Sequence, residues 1–327
     1  MSNLKRDLSR NRAYVRLRLG QDEGAITDAL VSLSDHTTDK HKNAKSYMRA
    51  GQASHALGEY DAAVTYYRKL LELHGDHVDA AHLLSKTEAR LRERNSGVYD
   101  IDAIKESISG KKPRVDAADF LSNTAVKSSE HPGGRGLFAT KNLGPGDLIL
   151  AETAFASVWD REKSHVMAMK WDAHFPKVFS EEEIGLWKVV LQRVRDNPVA
   201  GRSLLELPGD HNVLGDQVME VDGVQVVDAY QVHDIVSRNR LQLGDIPGSK
   251  RCGSGIYIRS SYTNRSDSHN AQRAIVGDLV LMHATKAILE GQEITIDDGE
   301  EAVPTLVNVD NSSPDGAGLT SLSLEEA

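Results

Sequence analysis

The chain has 327 residues, 39% apolar and 27% charged, enough for two domains with a sizeable core and in the range of soluble globular proteins. No apolar run approaches the length of a membrane helix, and the polar opening MSNLKRDLSRNR does not read as a secretory leader. Cys252 is the only cysteine, which excludes an intrachain disulfide framework and a cysteine-rich zinc site and points to a cytoplasmic or nuclear compartment. The formal net charge of −9 sits at one end: Asp297–Ala327 holds eight acidic residues and no Lys or Arg, so the remainder carries −9 + 8 = −1. A nearly neutral body offers neither a nucleic-acid surface nor a basic membrane patch.

The first ninety-odd residues read as helices. Apolar residues recur at three- and four-residue spacing in AYVRLRLG, AITDALVSL, YMRAGQASHALG and AAVTYYRKLLEL, and the first proline is Pro113. Asn11–Leu33 lies over Ser46–Leu73, with Leu19-Gly20 matching Leu57-Gly58 and Ala25 matching Ala63. Each copy is a helix, a glycine turn and a second helix with a small residue at the close contact. LGEYDAAVTYYRKLL resembles a tetratricopeptide repeat, although the glycines are 38 residues apart where the family spacing is about 34. HVDAAHLLSKTEARLRER predicts a capping helix. The resemblance implies a protein or peptide partner. In peptide-binding repeats of this family, an Asn and a Lys-x-x-x-Arg clamp a partner's terminal carboxylate, and Asn11, Lys45 and Arg49 occupy similar places. A solvated basic helix face is the alternative for the same residues.

Turn formers in NSGVYD and SGKKPRVDAADF, around a short helical stretch DIDAIKESI, predict a linker over 95–125. The periodicity then changes. DLILAE, EVDGVQVVD, GSGIYIRSS, RAIVGDLVLMHAT and QEITI read as strands, with hairpin turns at Asp222-Gly223 and Gly277-Asp278. Between about 160 and 239 the spacing returns to helical, in EEEIGLWKVVLQRV and DAYQVHDIVSRN. Strands interrupted by a helical insert predict an α+β fold. The acidic stretch 299–327, poor in large apolar residues, is expected to be disordered.

HPGGRGLFATKNLGPGDLILAE (His131–Glu152), the insert, GSGIYIRSSYTNRSDSHNA and GDLVLMHATKAILEGQEITI follow one another in the order of a SET domain. The chain thus resembles the proteins that join tetratricopeptide repeats to a SET domain. The expected organisation is repeats over 1–94, a linker over 95–125, a β-rich SET domain over 126–298 with its helical insert, and the acidic tail. The resemblance implies three small sheets, a pseudoknot formed by a segment passing under a loop, and S-adenosylmethionine-dependent methylation of protein lysines, with no metal. Gly133, Gly134 and Gly136 lack Cβ atoms, so a ligand can approach the backbone there, and Arg135 is suited to orienting a carboxylate or the loop.

In the family's Asn-His-Ser-Cys-x-Pro-Asn signature, the first two residues hold the adenosyl part. YTNRSDSHN (Tyr262–Asn270) keeps Asn264, Ser266 and Asn270, but has Arg265, Asp267 and His269 for His, Cys and Pro. The cofactor-binding set implied is Gly134, Arg135, Gly136, Asn264 and Arg265. QEITIDD places Asp298 where the family has a tyrosine. Methyl transfer needs a neutral lysine amine, whose free pKa is about 10.4, and a nearby aspartate favours the charged form. Tyr262 or Tyr257 could supply the hydroxyl instead, Tyr262 being the candidate catalytic residue; ordinary strand aromatics are the alternative. The departures imply weak or absent catalysis, or a non-catalytic adaptor. The thirteen histidines show no metal spacing, with His36 and His41 expected in a loop, GPG at 144–146 is a turn, and Trp159, Trp171 and Trp187 read as core.

Overall fold

The computed structural model describes residues 2–34, 39–130, 134–159, 169–170, 177–178, 181–210, 219–244 and 253–297. The repeat half begins with α1 (Asn3–Arg18), α2 (Asp22–Val31), α3 (Lys40–Ala56), α4 (Tyr60–Leu73) and α5 (Val78–Ser96). Gly20 and Gly58, with φ of +72° and +76°, make the left-handed turns between paired helices, a conformation costly for residues with a Cβ. Ala25 and Ala63 are fully buried where the pairs touch, as their matching positions in the repeat predict. Gly51 in α3 lies against Tyr67 of α4, so that a Cβ there would stand 2.6 Å from the ring. A buried Asp28 on α2 ties this helix to α1 by accepting from Arg12 and Arg16. His41, expected in a loop, lies in the first turn of α3, and His36 lies outside the described residues.

Residues 95–125 do more than connect. After α6 (Ile101–Ser107), the carboxylate of Glu93 accepts from the Ala118 amide at 3.0 Å and Arg90 donates to the Asp116 carbonyl. Phe120 exchanges both backbone hydrogen bonds with Ala151, at 2.8 and 3.0 Å. Tyr99, Ile104, Ile108, Ala117 and Phe120 form an apolar cluster with Ala151, Val276, Leu279 and Leu281. The turn formers of this stretch sit between apolar residues that the strand-rich half buries.

That half contains β1 (Thr124–Ser128), β2 (Arg135–Ala139), β3 (Leu148–Thr153) and β4 (Ala156–Trp159), then the hairpin β5 (Met169–Lys170) and β6 (Lys177–Val178). The insert continues with α7 (Glu181–Asp196), α8 (Pro198–Leu205), the hairpin β7 (Met219–Val221) and β8 (Val224–Val226), and α9 (Ala229–Asn239). The insert therefore holds two small hairpins as well as helices. Asp222 and Gly223 both have positive φ in the turn between β7 and β8, the geometry a two-residue hairpin favours. The chain resumes with β9 (Arg240–Leu243), β10 (Gly253–Ile256), a tight 3-10 turn (Ser260–Tyr262), β11 (Asn264–Arg265), β12 (Ala271–Val276), β13 (Leu279–Ala284) and β14 (Glu293–Ile296).

Among the described residues, the strands outside those two hairpins form three small sheets, ordered β1-β2-β14-β11, β4-β10-β9 and β12-β13-β3. The fold is α+β. Leu137, Ile149, Leu150, Val158, Ile256 and Met282 meet Leu186, Val190, Val194, Leu204 and Ile235 of the insert in one core. Trp159 is buried there, and Trp187 packs against this core while donating Nε1–H to the Ala229 carbonyl; Trp171 lies outside the described residues.

The last strand is laced from both sides. β14 is antiparallel to β2, with Ile294 opposite Leu137, and parallel to β11, with Thr295 opposite Asn264. The Asn270 side chain takes the place of a further strand: its Oδ1 accepts from Thr295 N at 3.0 Å and its Nδ2 donates to the Glu293 carbonyl at 2.9 Å. The segment Asn264–Asn270 thus passes along β14 and holds it against β2.

GSGIYIRSS, read as a strand throughout, is one only to Ile256. The amides of Ile258, Arg259 and Ser260 turn inward to the Glu152 carboxylate instead of entering a ladder. A carboxylate 106 to 108 residues away ends the strand, which local β-propensity does not reveal.

Candidate functional site

Asn264 and the glycine-flanked Arg135 meet. The Asn264 side-chain amide donates to the Arg135 carbonyl at 3.1 Å and to Glu293 Oε1 at 2.7 Å. Ser129 Oγ donates to the same Glu293 carboxylate, at 2.8 and 2.9 Å to its two oxygens. β14 supplies Glu293, β2 supplies Arg135, and their antiparallel pairing puts both beside Asn264. Gly136 leaves room for this contact: a Cβ would lie 2.1 Å from Glu293 Oε1 and 3.0 Å from Asn264 Nδ2, so the Glu293 carboxylate would have to move. Gly134 has φ +67° and open space where a Cβ would point, so the backbone entering β2 is accessible. His131–Gly133 lie outside the described residues.

The Arg135 guanidinium stands over the Tyr262 ring, 5.0 Å from its centroid, and donates to the Glu206 carbonyl. The Tyr262 hydroxyl donates to that same carbonyl at 3.2 Å. Burial raises the Tyr262 phenol above its ordinary pKa against the opposing pull of Arg135, so the neutral phenol is the form present at neutral pH. Glu206 is the residue after α8, and so the insert contributes a backbone acceptor to the site. Nothing in the sequence marks it, because a carbonyl carries no residue-type signal.

The other candidates fall as follows. Arg265 pairs with Ile296 across the parallel ladder and its side chain is exposed. Tyr257 is in the core, 1% exposed, with its hydroxyl on the Asp278 carbonyl at 3.0 Å. Asp298 lies outside the described residues.

Behind the site sits Glu152 on β3, 4% exposed. Its Oε1 accepts from the amides of Ile258 and Arg259 at 2.8 and 2.7 Å, and its Oε2 from the amide and hydroxyl of Ser260, both at 2.7 Å. In the sequence, it is the end of the apolar strand DLILAE. An acidic residue closing LILAE was the available signal.

In the repeats, Lys45 and Arg49 share one face of α3, as their spacing requires. Both line a groove of about 440 Å³ with Tyr14, Met48, His74 and His77. Arg49 lies 5.2 Å from the Tyr14 ring centroid and donates to the Arg10 carbonyl. Burial lowers its pKa, with Arg10 adding to the effect. Asn11 is exposed in the middle of α1 and follows Arg10, but does not line the groove. Among the described residues, no cluster of three or more His, Cys, Asp or Glu is placed to hold a metal ion.

A family model described as the SET domain matches residues 134–297, half of the chain, and spans every strand and side chain of the Arg135–Asn264–Glu293 cluster. The chain belongs to the SET-domain family. Within this SET-domain protein, a tetratricopeptide repeat model matches residues 44–77, from within α3 through α4. A protein of Gibberella zeae named "Methyltransferase" is 26% identical to it over a 307-residue alignment that covers 87% of this chain. The SET-domain protein spans 41% of the length of that relative.

Proposed function

We propose that the chain is a SET-type methyltransferase that takes S-adenosylmethionine at Gly134–Gly136 and Asn264 and modifies protein lysines slowly, with the repeats recruiting a protein partner. The observation that carries this reading is the 3.1 Å contact between the Asn264 amide and the Arg135 carbonyl, groups 129 residues apart in the chain. The residues fit the cofactor: the accessible backbone at Gly134 offers groups for its amino-acid end, and Asn264 is already fixed beside it. When bound, S-adenosylmethionine supplies an electrophilic methyl group on a sulfonium. The chain's part is to hold the cofactor and to align a neutral amine with it. Asp298, in the place of the family's tyrosine, favours the ammonium form of an incoming lysine and so slows transfer.

A second reading, a non-catalytic adaptor, draws support from the Tyr262 hydroxyl. It is spent on the Glu206 carbonyl under the Arg135 guanidinium, and so is not directed at an amine. The two readings part on one experiment. The purified full chain is titrated with S-adenosylmethionine by calorimetry and then incubated with a protein extract and methyl-labelled cofactor, alongside Asp298→Tyr. Slow labelling by the natural chain, increased at least tenfold in the variant, supports the enzyme. Cofactor binding with no labelling by either protein supports the adaptor. Absence of cofactor binding overturns the assignment of Gly134–Gly136 and Asn264.

A further inference from the structure

Glu152 occupies a position that the reaction itself does not explain. A carboxylate has about four lone-pair sites, and all four are taken here, two on each oxygen, by donors from three successive residues. Those donors do not enter a sheet, and of the three residues only Ser260 belongs to the short 3-10 turn. They belong to Ile258, Arg259 and Ser260, the turn that leads directly into Tyr262 and Asn264. Around them, Ser261 Oγ donates back to the Tyr257 carbonyl, the Tyr262 and Thr263 amides close the tight turn on the Arg259 and Ser260 carbonyls at 3.2 and 3.1 Å, and the Arg259 guanidinium reaches the Thr124 carbonyl at 3.4 Å. Charge-assisted hydrogen bonds are about twice as strong as neutral ones, and removing a buried acceptor leaves its donors unsatisfied.

We infer that Glu152 is a positioning residue for the candidate site: its carboxylate gathers the 258–260 turn and thereby sets Tyr262 against Arg135 and Asn264 against Glu293. The inference deepens the proposed function and names a residue that touches neither cofactor nor substrate.

The groups facing Glu152 make the device sensitive to protons. Asp119, which accepts from the Thr153 amide and hydroxyl, lies close enough to oppose its charge. Burial and Asp119 together push Glu152 up to about 7, against the pull of its donors. Beyond them, Arg193 opposes Asp119, and the buried Tyr257 feels Glu152, Asp278 and Arg273. Once protonated, Glu152 carries an O–H that displaces one of the four donors, so the turn is held best above neutral pH.

The test uses hydrogen exchange on the full chain without cofactor, comparing natural protein with Glu152→Gln and Ser260→Ala. A glutamine keeps the volume but cannot accept at its nitrogen, so two donors are stranded. The expected result is at least a tenfold rise in exchange at 258–265 in Glu152→Gln, with β12 and β13 within about threefold of the natural protein. Ser260→Ala, which removes one donor of four, is expected to give a rise of about two- to fivefold in the same stretch. In the natural chain, protection at 258–260, corrected for intrinsic exchange, falls as pH drops through neutrality, and Glu152→Gln lacks that step. S-adenosylhomocysteine affinity falls at least tenfold in Glu152→Gln.

Unchanged exchange at 258–265, or a rise shared equally by β12 and β13, overturns the inference. If Glu152→Gln does not fold, Ser260→Ala and the pH step decide in the same way. If the natural protein does not bind S-adenosylhomocysteine, the cofactor assignment fails, and exchange still decides the role of Glu152.

Discussion

Glu23 and Asn197 cap each other's helices across the boundary between the repeats and the SET domain. Asn197 Oδ1 accepts from the Asp22 and Glu23 amides that open α2, at 2.8 and 3.2 Å, and its Nδ2 donates to the Gly20 carbonyl at 2.7 Å. Glu23 returns the contact, accepting from the Val199 and Ala200 amides that open α8, at 3.1 and 2.8 Å. Free amides at a helix start need such acceptors, and each is supplied here by the other half of the molecule. The α8 end also carries Glu206, whose carbonyl receives Arg135 and Tyr262, so this junction is continuous with the site.

Removing either cap should loosen both helices. Asn197→Ala and Glu23→Ala are each expected to cost roughly 1–2 kcal/mol, measured by urea denaturation. The double variant should cost less than the sum, because opening the junction by one change already forfeits the other's contacts. Additive losses would show that the two caps act independently.

Asp22, at the start of α2, gives the junction a pH dependence. Burial raises its pKa to about 6, with Glu23 adding and Arg193 opposing. Because the folded value lies above the unfolded one, the contribution to stability is full below about pH 4 and is lost as pH rises through about 6. Asp22→Asn should therefore gain on the natural protein between pH 4.5 and 7.5, by about 1–2 kcal/mol after discounting for the part of Asp22 that stays in water. Denaturation midpoints at those two pH values check it, and a variant that loses ground would contradict the sign.

Gly136→Ala forces Glu293 away from Asn264, since the new Cβ would lie 2.1 Å from Glu293 Oε1. The carboxylate is the far end of a long side chain and can rotate, so stability should fall by only about 1 kcal/mol. Under the proposed function, S-adenosylmethionine affinity should fall at least tenfold, because the Asn264 amide loses the 2.7 Å bond that orients it. Calorimetric titration alongside a thermal melt separates these effects; equal affinity with a lowered melt would remove Asn264 from the cofactor site.

Gly51→Ala is the corresponding change in the repeats. The methyl group would meet the Tyr67 ring at 2.6 Å, and Tyr67 is 1% exposed with no room to swing aside. The helix-propensity gain of about 1 kcal/mol is outweighed by overpacking of about 1–3 kcal/mol. A net loss in the melt is expected, while the open Gly58 turn should resist alanine for a different reason, its φ of +76°.

Much of the fold was legible because it rests on local rules. Gly20 and Gly58, Ala25 and Ala63 mark the repeat by turn and close packing, and the strand pairs around Asp222-Gly223 and Gly277-Asp278 carry their own turn residues. The contact between Arg135 and Asn264 was legible, because the family order of motifs brings the two residues into one view. Glu152 was not, since an acidic residue at a strand end has many uses and its donors lie over a hundred residues away. Residues 95–125 read as a linker because turn formers dominate the stretch, whereas Tyr99, Ile104 and Phe120 also find apolar partners on β3, β12 and β13.

The amino-acid order alone determined that helical repeats precede a strand-rich domain with a helical insert, because periodicity and turn chemistry act between near neighbours. Only the tertiary structure decided that Glu206 would meet Arg135 and Tyr262, that Glu152 would end a strand, and that Asn197 would cap α2. Those pairings satisfy donors and acceptors whose partners lie 56 to 175 residues distant, and such partners are chosen by packing.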